Sequence, residues 1–113
     1  MDDKIKRPWG YYRVLHEVPG MKVKELTVDP GKKLSMQRHA KRAEYWMVSQ
    51  GSCTVNSQAP SGYQYPPKTL RLHEEYRVPV NEWHQLTNPF DTACKIVEIQ
   101  YGEACVEEDI ERQ

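Results

Sequence analysis

Gln37, His39, Glu44 and His84 are residue types that bind metal ions, and their spacing lets two distant segments assemble one site. Gln37 and His39 are two apart, so on a strand both leave the same face. Glu44 alternates into a face with Trp46 and Val48, where an unpaired carboxylate would be costly. Coordinating a cation removes that cost: His39 and His84 supply neutral imidazoles and Gln37 an amide oxygen. This mixed nitrogen and oxygen set suits a divalent zinc, manganese, iron, cobalt or nickel ion and needs no thiolate. Four protein ligands on an ion that accepts five or six leave room for water or substrate oxygens, as in a reactive centre.

Other residues could act beside such a centre. Lys24 shares a face with Leu26 and Val28 if its strand has no bulge, which would bury its stem and leave its ammonium at a cavity mouth. Lys41 and Arg42, next to the ligands, are candidates to receive an anionic group, arginine through its planar fork of donors. Glu98 and Gln100 face one way on the last long strand, and alternation alone leaves open which way that is. Trp9 and Trp46 read as core packing, and His16 and His73 as surface or satisfied core histidines.

The chain must position these groups with β structure. Its 113 residues are enough for one domain over 1–113 with a single core. Short β-branched and aromatic runs are punctuated by glycine, proline and asparagine every 8 to 12 residues or so, the pattern of an all-β sandwich or barrel. Strands are expected near Gly10 to Leu15, Met21 to Val28, Leu34 to His39, Glu44 to Ser49, Ser52 to Val55, Thr69 to Leu72, Tyr76 to Val78, His84 to Asn88 and Lys95 to Tyr101. Turns fall at Pro19-Gly20, Asp29-Pro30-Gly31, Gln50-Gly51, Asn81 and Asn88-Pro89. Such short strands suit a small jelly roll. The stretch Asn56 to Lys68 is too rich in proline and glycine for a strand and reads as a loop, with Tyr63 and Tyr65 as the residues that would make it a lid. The acidic tail from Glu103 reads as a solvated terminus or a short helical turn.

Composition narrows the partners. Lysine plus arginine total 16 and aspartate plus glutamate total 16, so no charge excess draws the chain to nucleic acid or an anionic membrane. The start, Met1 to Arg7, lacks the apolar stretch of a signal peptide, and no apolar run nears the roughly 20 residues of a bilayer span. A cytoplasmic protein is expected. Cys53, Cys94 and Cys105 are odd in number and lack C-x-x-C spacing, so they read as reduced, mostly buried thiols.

The same residues resemble the cupin superfamily, whose two motifs are G-x5-H-x-H-x3,4-E-x6-G and P-x-G-x2-H-x3-N. Gln37 stands at the first histidine of that pattern and Asn81 at the second-motif glycine. More narrowly, the chain is similar to the cupin domain of type II phosphomannose isomerases. The matching stretches are Arg7-Pro-Trp-Gly-Tyr-Tyr, Val23 to Gly31, Leu34 to His39, Arg42 to Trp46, Glu98 to Gly102 and Glu107 to Arg112. Glutamine at position 37 is itself typical of those isomerases. Ala40, Lys41 and Tyr45 depart from their His-rich core, and their D-x-Y-G-R ending lies beyond Gln113.

The resemblance implies a double-stranded β-helix that interconverts mannose 6-phosphate and fructose 6-phosphate through an enediolate. Lys24, Glu98 or a metal-bound hydroxide would move the proton, Lys41 or Arg42 would take the phosphate, and two copies would pair as a homodimer. A metal cupin that binds a sugar or sugar nucleotide without turnover is the alternative, with a metal-dependent dioxygenase behind it.

Overall fold

A computed structural model describes residues 3–113, in strands, turns and loops without a helix. The strands are β1 (Ile5–Arg7), β2 (Gly10–Val18), β3 (Met21–Val28), β4 (Gln37–Arg38), β5 (Arg42–Gln50), β6 (Cys53–Gln58), β7 (Lys68–Leu70), β8 (Glu75–Val78), β9 (Trp83–Thr87), β10 (Cys94–Gly102) and β11 (Glu111–Arg112). One six-stranded sheet has the order β1-β2-β3-β10-β5-β8, and one five-stranded sheet the order β11-β4-β9-β6-β7. Strands distant in sequence thus lie side by side, the all-β jelly roll that the turn spacing predicts.

Period-two alternation decides which faces meet. Arg42, Glu44, Trp46 and Val48 of β5 are buried, as are Cys94, Ile96, Glu98 and Gln100 of β10, while the residues between them are only partly so. The inner faces of both sheets close one core, with Leu26, Val28, Trp46, Val48 and Ile96 against Val55, Leu70 and Leu86. Register then sorts that face along the barrel. Ile96 pairs with Val48 and Leu26, whereas Glu98 pairs with Lys24 and Gln100 with Glu44. Apolar residues gather at one end and the inward-facing polar ones at the other.

Gly51 turns β5 into β6 at φ +73°, where a Cβ would lie 2.6 Å from the Ala93 carbonyl oxygen. Any side chain there must move backbone, so Gly51→Ala is expected to destabilise by about 1–3 kcal/mol, read by urea denaturation. All three cysteines are free, Cys53 and Cys94 in the core and Cys105 half-buried. Among the described residues no helix is long and apolar enough to cross a membrane.

The structure corrects several boundaries. The strand expected over Leu34 to His39 shrinks to Gln37–Arg38, because this stretch finds partners one at a time: Leu34 N–H donates to Leu86 O at 2.9 Å and Lys33 bridges to Thr87. β6 runs three residues into the expected loop, since Asn56, Ser57 and Gln58 pair with Gln85, His84 and Trp83. Residues 59–67 form a loop whose Tyr63 and Tyr65 rings pack edge on, and Lys68 begins β7. The tail is not helical and stays largely exposed, as a solvated terminus would, but it is not free of structure: Glu111 and Arg112 pair with Arg38 and Gln37 as β11. A two-residue strand has no periodicity to reveal it, so only its partner defines it.

Candidate metal centre

Cross-strand register builds the site. Gln37 of β4 lies directly opposite His84 of β9, and directly opposed residues share a face. Asn81 turns the chain ahead of His84 at φ +67°, a conformation that asparagine tolerates. Its N–H donates to the His39 carbonyl at 2.8 Å, tying the segments that carry His39 and His84 together.

His39, Glu44 and His84 are all buried, and one ligand atom from each lies within 4.8 Å of the others. Glu44 Oε2 is 3.3 Å from His39 Nε2, and Oε1 is 3.4 Å from His84 Nε2. His39 Nδ1 lies 2.7 Å from the Asp109 carbonyl oxygen and His84 Nδ1 3.0 Å from that of Glu82. A carbonyl only accepts, so each Nδ1 carries a proton, and in the neutral form of each ring it is Nε2 that offers the lone pair a cation would use.

Two observations test the fit of an ion. Glu44 Oε1 is buried without a hydrogen-bond partner, an orphan that a cation would satisfy. On the other side stands Arg42, whose Nε donates to Glu44 Oε2 at 3.0 Å, while Nη2 lies 3.0 Å from the same oxygen and reaches His39 Nε2 at 3.1 Å. An ion on His39 takes the lone pair that receives this N–H, so Arg42 must give up that one contact and can keep Glu44 Oε2. On those terms the donor set fits a divalent ion, through Glu44 Oε1, His84 Nε2 and His39 Nε2, with Gln37 at the same cavity wall. Gln37 itself donates from Nε2 to the Ser35 carbonyl at 3.4 Å.

Electrostatics follow from this crowding. Burial alone would raise the Glu44 carboxyl, but His84, Arg42 and His39 together hold it well below the usual carboxylate range. His84 is opposed by its own burial and lifted by Glu44, with a net rise, whereas burial and the Arg42 charge outweigh Glu44 at His39 and lower it. Glu98 is pushed up to about 7, first by burial and then by the neighbouring Glu44 charge, against the lowering pull of Lys24.

The centre opens into a cavity of about 130 Å³. Gln37, Glu44, His84, Lys24, Glu98 and Arg42 are among its walls. Glu98 is held from both oxygens, by the Trp46 indole N–H at 3.0 Å and the Gln100 amide at 2.8 Å. Lys24 Nζ donates to Glu107 Oε2 at 3.0 Å and lies 4.4 Å from the centre of the Tyr12 ring.

Comparison with known proteins fits this architecture. The pattern of the family described as "Mannose-6-phosphate isomerase C-terminal" matches residues 1–113. The chain belongs to that family. It is 35% identical over 109 residues to a mannose-1-phosphate guanylyltransferase of Salmonella muenchen, covering 96% of this chain and 22% of that protein. It is 36% identical over 111 residues to the alginate biosynthesis protein AlgA of Pseudomonas aeruginosa, covering 96% of this chain and 21% of that protein. The chain therefore spans about a fifth of the length of these relatives. Among solved structures, the capsular polysaccharide assembling protein CapF of Staphylococcus aureus superposes with a TM-score of 0.83 at 16% identity, over 96% of this chain and 31% of that one. A sugar phosphate isomerase of the cupin superfamily from Silicibacter pomeroyi gives 0.69 at 16% identity, over 80% and 58%. The fold is that of a cupin.

Within this cupin domain, His39, Glu44 and His84 come together as their spacing predicts, Gln37 sits beside His84, and Lys24, Glu98 and Arg42 reach the same space. Lys41 does not: it is exposed and lies outside the residues lining the cavity. His39 lies behind the Arg42 guanidinium rather than at the cavity wall. Trp46 is core, while Trp9 packs against the core and also lines the cavity. Sequence reasoning missed the tail. Asp109 accepts the Ala40 and Lys41 amides at 2.9 and 2.8 Å with its carboxylate, and its carbonyl holds His39. Glu107 meets Lys24, and Arg112 reaches the cavity rim. The signal available was the Glu107 to Arg112 stretch of the family resemblance. Asp109→Ala keeps the carbonyl that holds His39 but removes the carboxylate that anchors it to the Ala40 and Lys41 amides, so divalent metal binding is expected to weaken by about 10-fold, the low end for an outer partner, measured by calorimetric titration of Mn²⁺ or Zn²⁺.

Proposed function

We propose that this cupin domain is a metal-dependent aldose–ketose isomerase that interconverts mannose 6-phosphate and fructose 6-phosphate. The observation that carries the reading is the meeting, in one cavity, of an orphaned Glu44 oxygen beside the His84 imidazole and a second buried carboxylate, Glu98. A divalent ion held by Gln37, His39, Glu44 and His84 would supply Lewis-acid stabilisation of the negative charge that builds on the sugar oxygens.

The chain's own residues do the rest. Glu98 removes the proton from the hydroxyl-bearing carbon beside the aldehyde and returns it to the aldehyde carbon, while the hydroxyl proton passes to the former carbonyl oxygen. The trade leaves atoms and electrons balanced. The Trp46 and Gln100 donors keep the carboxylate aimed during both transfers. The Lys24 ammonium, cross-strand neighbour of Glu98, donates to Glu107 and so serves as a charge partner rather than as the base. That same ion pair favours a second reading, a sugar or sugar-nucleotide binding module without turnover, in keeping with relatives named as guanylyltransferases.

A coupled assay on protein loaded with a panel of divalent metals separates them. Turnover supports the isomerase, whereas stabilisation by sugar phosphate without turnover supports the binding module. Oxygen uptake would point to the dioxygenase. The reading includes a cytoplasmic homodimer, supported by exposed Val14, Leu15, Val18, Met21 and Tyr101 on the neighbouring strands β2, β3 and β10. Analytical ultracentrifugation tests the dimer.

A further inference from the structure

The sugar's phosphate needs cations, and those nearest the metal ligands are already taken. Arg42 is bound to Glu44, and Lys24 to Glu107. Lys41 lies outside the cavity. A phosphate monoester brings nearly two negative charges, and the Glu44 and Glu98 carboxylates make the cavity floor hostile to it.

Two further arginines line the same cavity, and both bind only neutral groups. Arg7 donates to the Lys6 carbonyl at 3.0 Å and the Tyr12 hydroxyl at 3.4 Å, with its guanidinium 5.3 Å from the Tyr12 ring centre. Arg112 donates to Ser35 Oγ at 3.2 Å. Among the described residues, no carboxylate holds either one.

Their placement suits the far end of a substrate. Arg112 lies opposite Gln37, which lies opposite His84, so the three form one row across β11, β4 and β9 on one face. Two strand spacings, about 10 Å, separate the Arg112 backbone from that of His84. Arg7 stands on the other sheet and shares the Tyr12 ring with Lys24, the neighbour of Glu98. Reacting carbons at the ligands would therefore leave a terminal phosphate near the rim where Arg7 and Arg112 open.

We propose that Arg7 and Arg112, with the Ser35 hydroxyl, form the phosphate-binding subsite of this cavity, clamping a sugar phosphate from both sheets. This assignment rests on the isomerase reading for its substrate but on uncommitted cations for its location. A guanidinium fork offers a phosphate two parallel charge-assisted bonds, which an ammonium does not.

The test compares wild type with Arg7→Gln, Arg112→Gln, the double variant and Arg112→Lys, all metal-loaded, using mannose 6-phosphate and unphosphorylated mannose as probes. Each Gln variant should raise KM for mannose 6-phosphate about 10- to 100-fold, in line with loss of hydrogen bonds to a charged group. The turnover number should change far less, Arg112→Lys should recover part of the loss, and metal affinity should stay unchanged. If wild type turns nothing over but binds mannose 6-phosphate better than mannose, and the double variant loses that preference, the subsite stands and the isomerase reading fails. Unchanged KM or preference in the double variant overturns the subsite while leaving the reaction intact. A parallel loss of metal affinity overturns it too, because the arginines would then be supporting the fold of the centre. A wild type that does not prefer the phosphorylated sugar overturns it outright.

Discussion

Glu44→Ala is expected to abolish metal binding and to destabilise the domain by roughly 3–5 kcal/mol. Glu44 is 2% exposed and Arg42 is 6% exposed, so truncating the carboxylate strands a buried guanidinium whose Nε loses its acceptor and whose Nη2 loses its ion-pair partner. The loss of metal affinity should exceed the roughly 10- to 100-fold typical of an outer partner, because a donor atom itself is removed. Denaturant melts and metal titration measure the two effects separately. The double substitution Glu44→Leu with Arg42→Met should recover most of the stability, since well-packed apolar groups often replace a buried ion pair at no cost. It should not recover metal binding. That contrast would show that the pair is retained for the centre and not for the fold. A Glu44→Ala protein that binds metal as tightly as wild type would remove Glu44 from the ligand set.

Glu98→Gln is expected to lower turnover about 10²- to 10⁴-fold, the range for a lost acid–base group, with metal affinity nearly unchanged. The substituted amide would keep the shape but no longer take a proton. Because Trp46 and Gln100 each donate to one oxygen of Glu98, the amide can satisfy only one of them, at a stability cost of about 1 kcal/mol. The decisive readout is exchange with deuterated solvent at the carbon beside the carbonyl, which wild type should show and Glu98→Gln should lose. Retained exchange would shift the proton transfer to Lys24.

Much of this was legible in the chain. Period-two alternation placed Glu44 with Trp46 and Val48, and it placed Glu98 with Gln100, because side-chain sidedness along a strand is a local property of the extended backbone. Gly51 and Asn81 marked their turns because few residues accept positive φ. Alternation could not say that Glu98 faces inward, since a strand with both faces partly apolar carries no label for its core side.

What the sequence by itself determined was therefore the all-β class with most of its strands, the residue types able to bind a metal, and the family. The tertiary structure alone decided the pairings between distant strands. Gln37 beside His84, Trp46 on Glu98, Lys24 on Glu107, Asp109 under His39 and Arg112 at the rim all join segments far apart in the chain. Such contacts depend on the register of one strand against another and on where a short tail finds a partner. Neither leaves a periodic trace in the sequence.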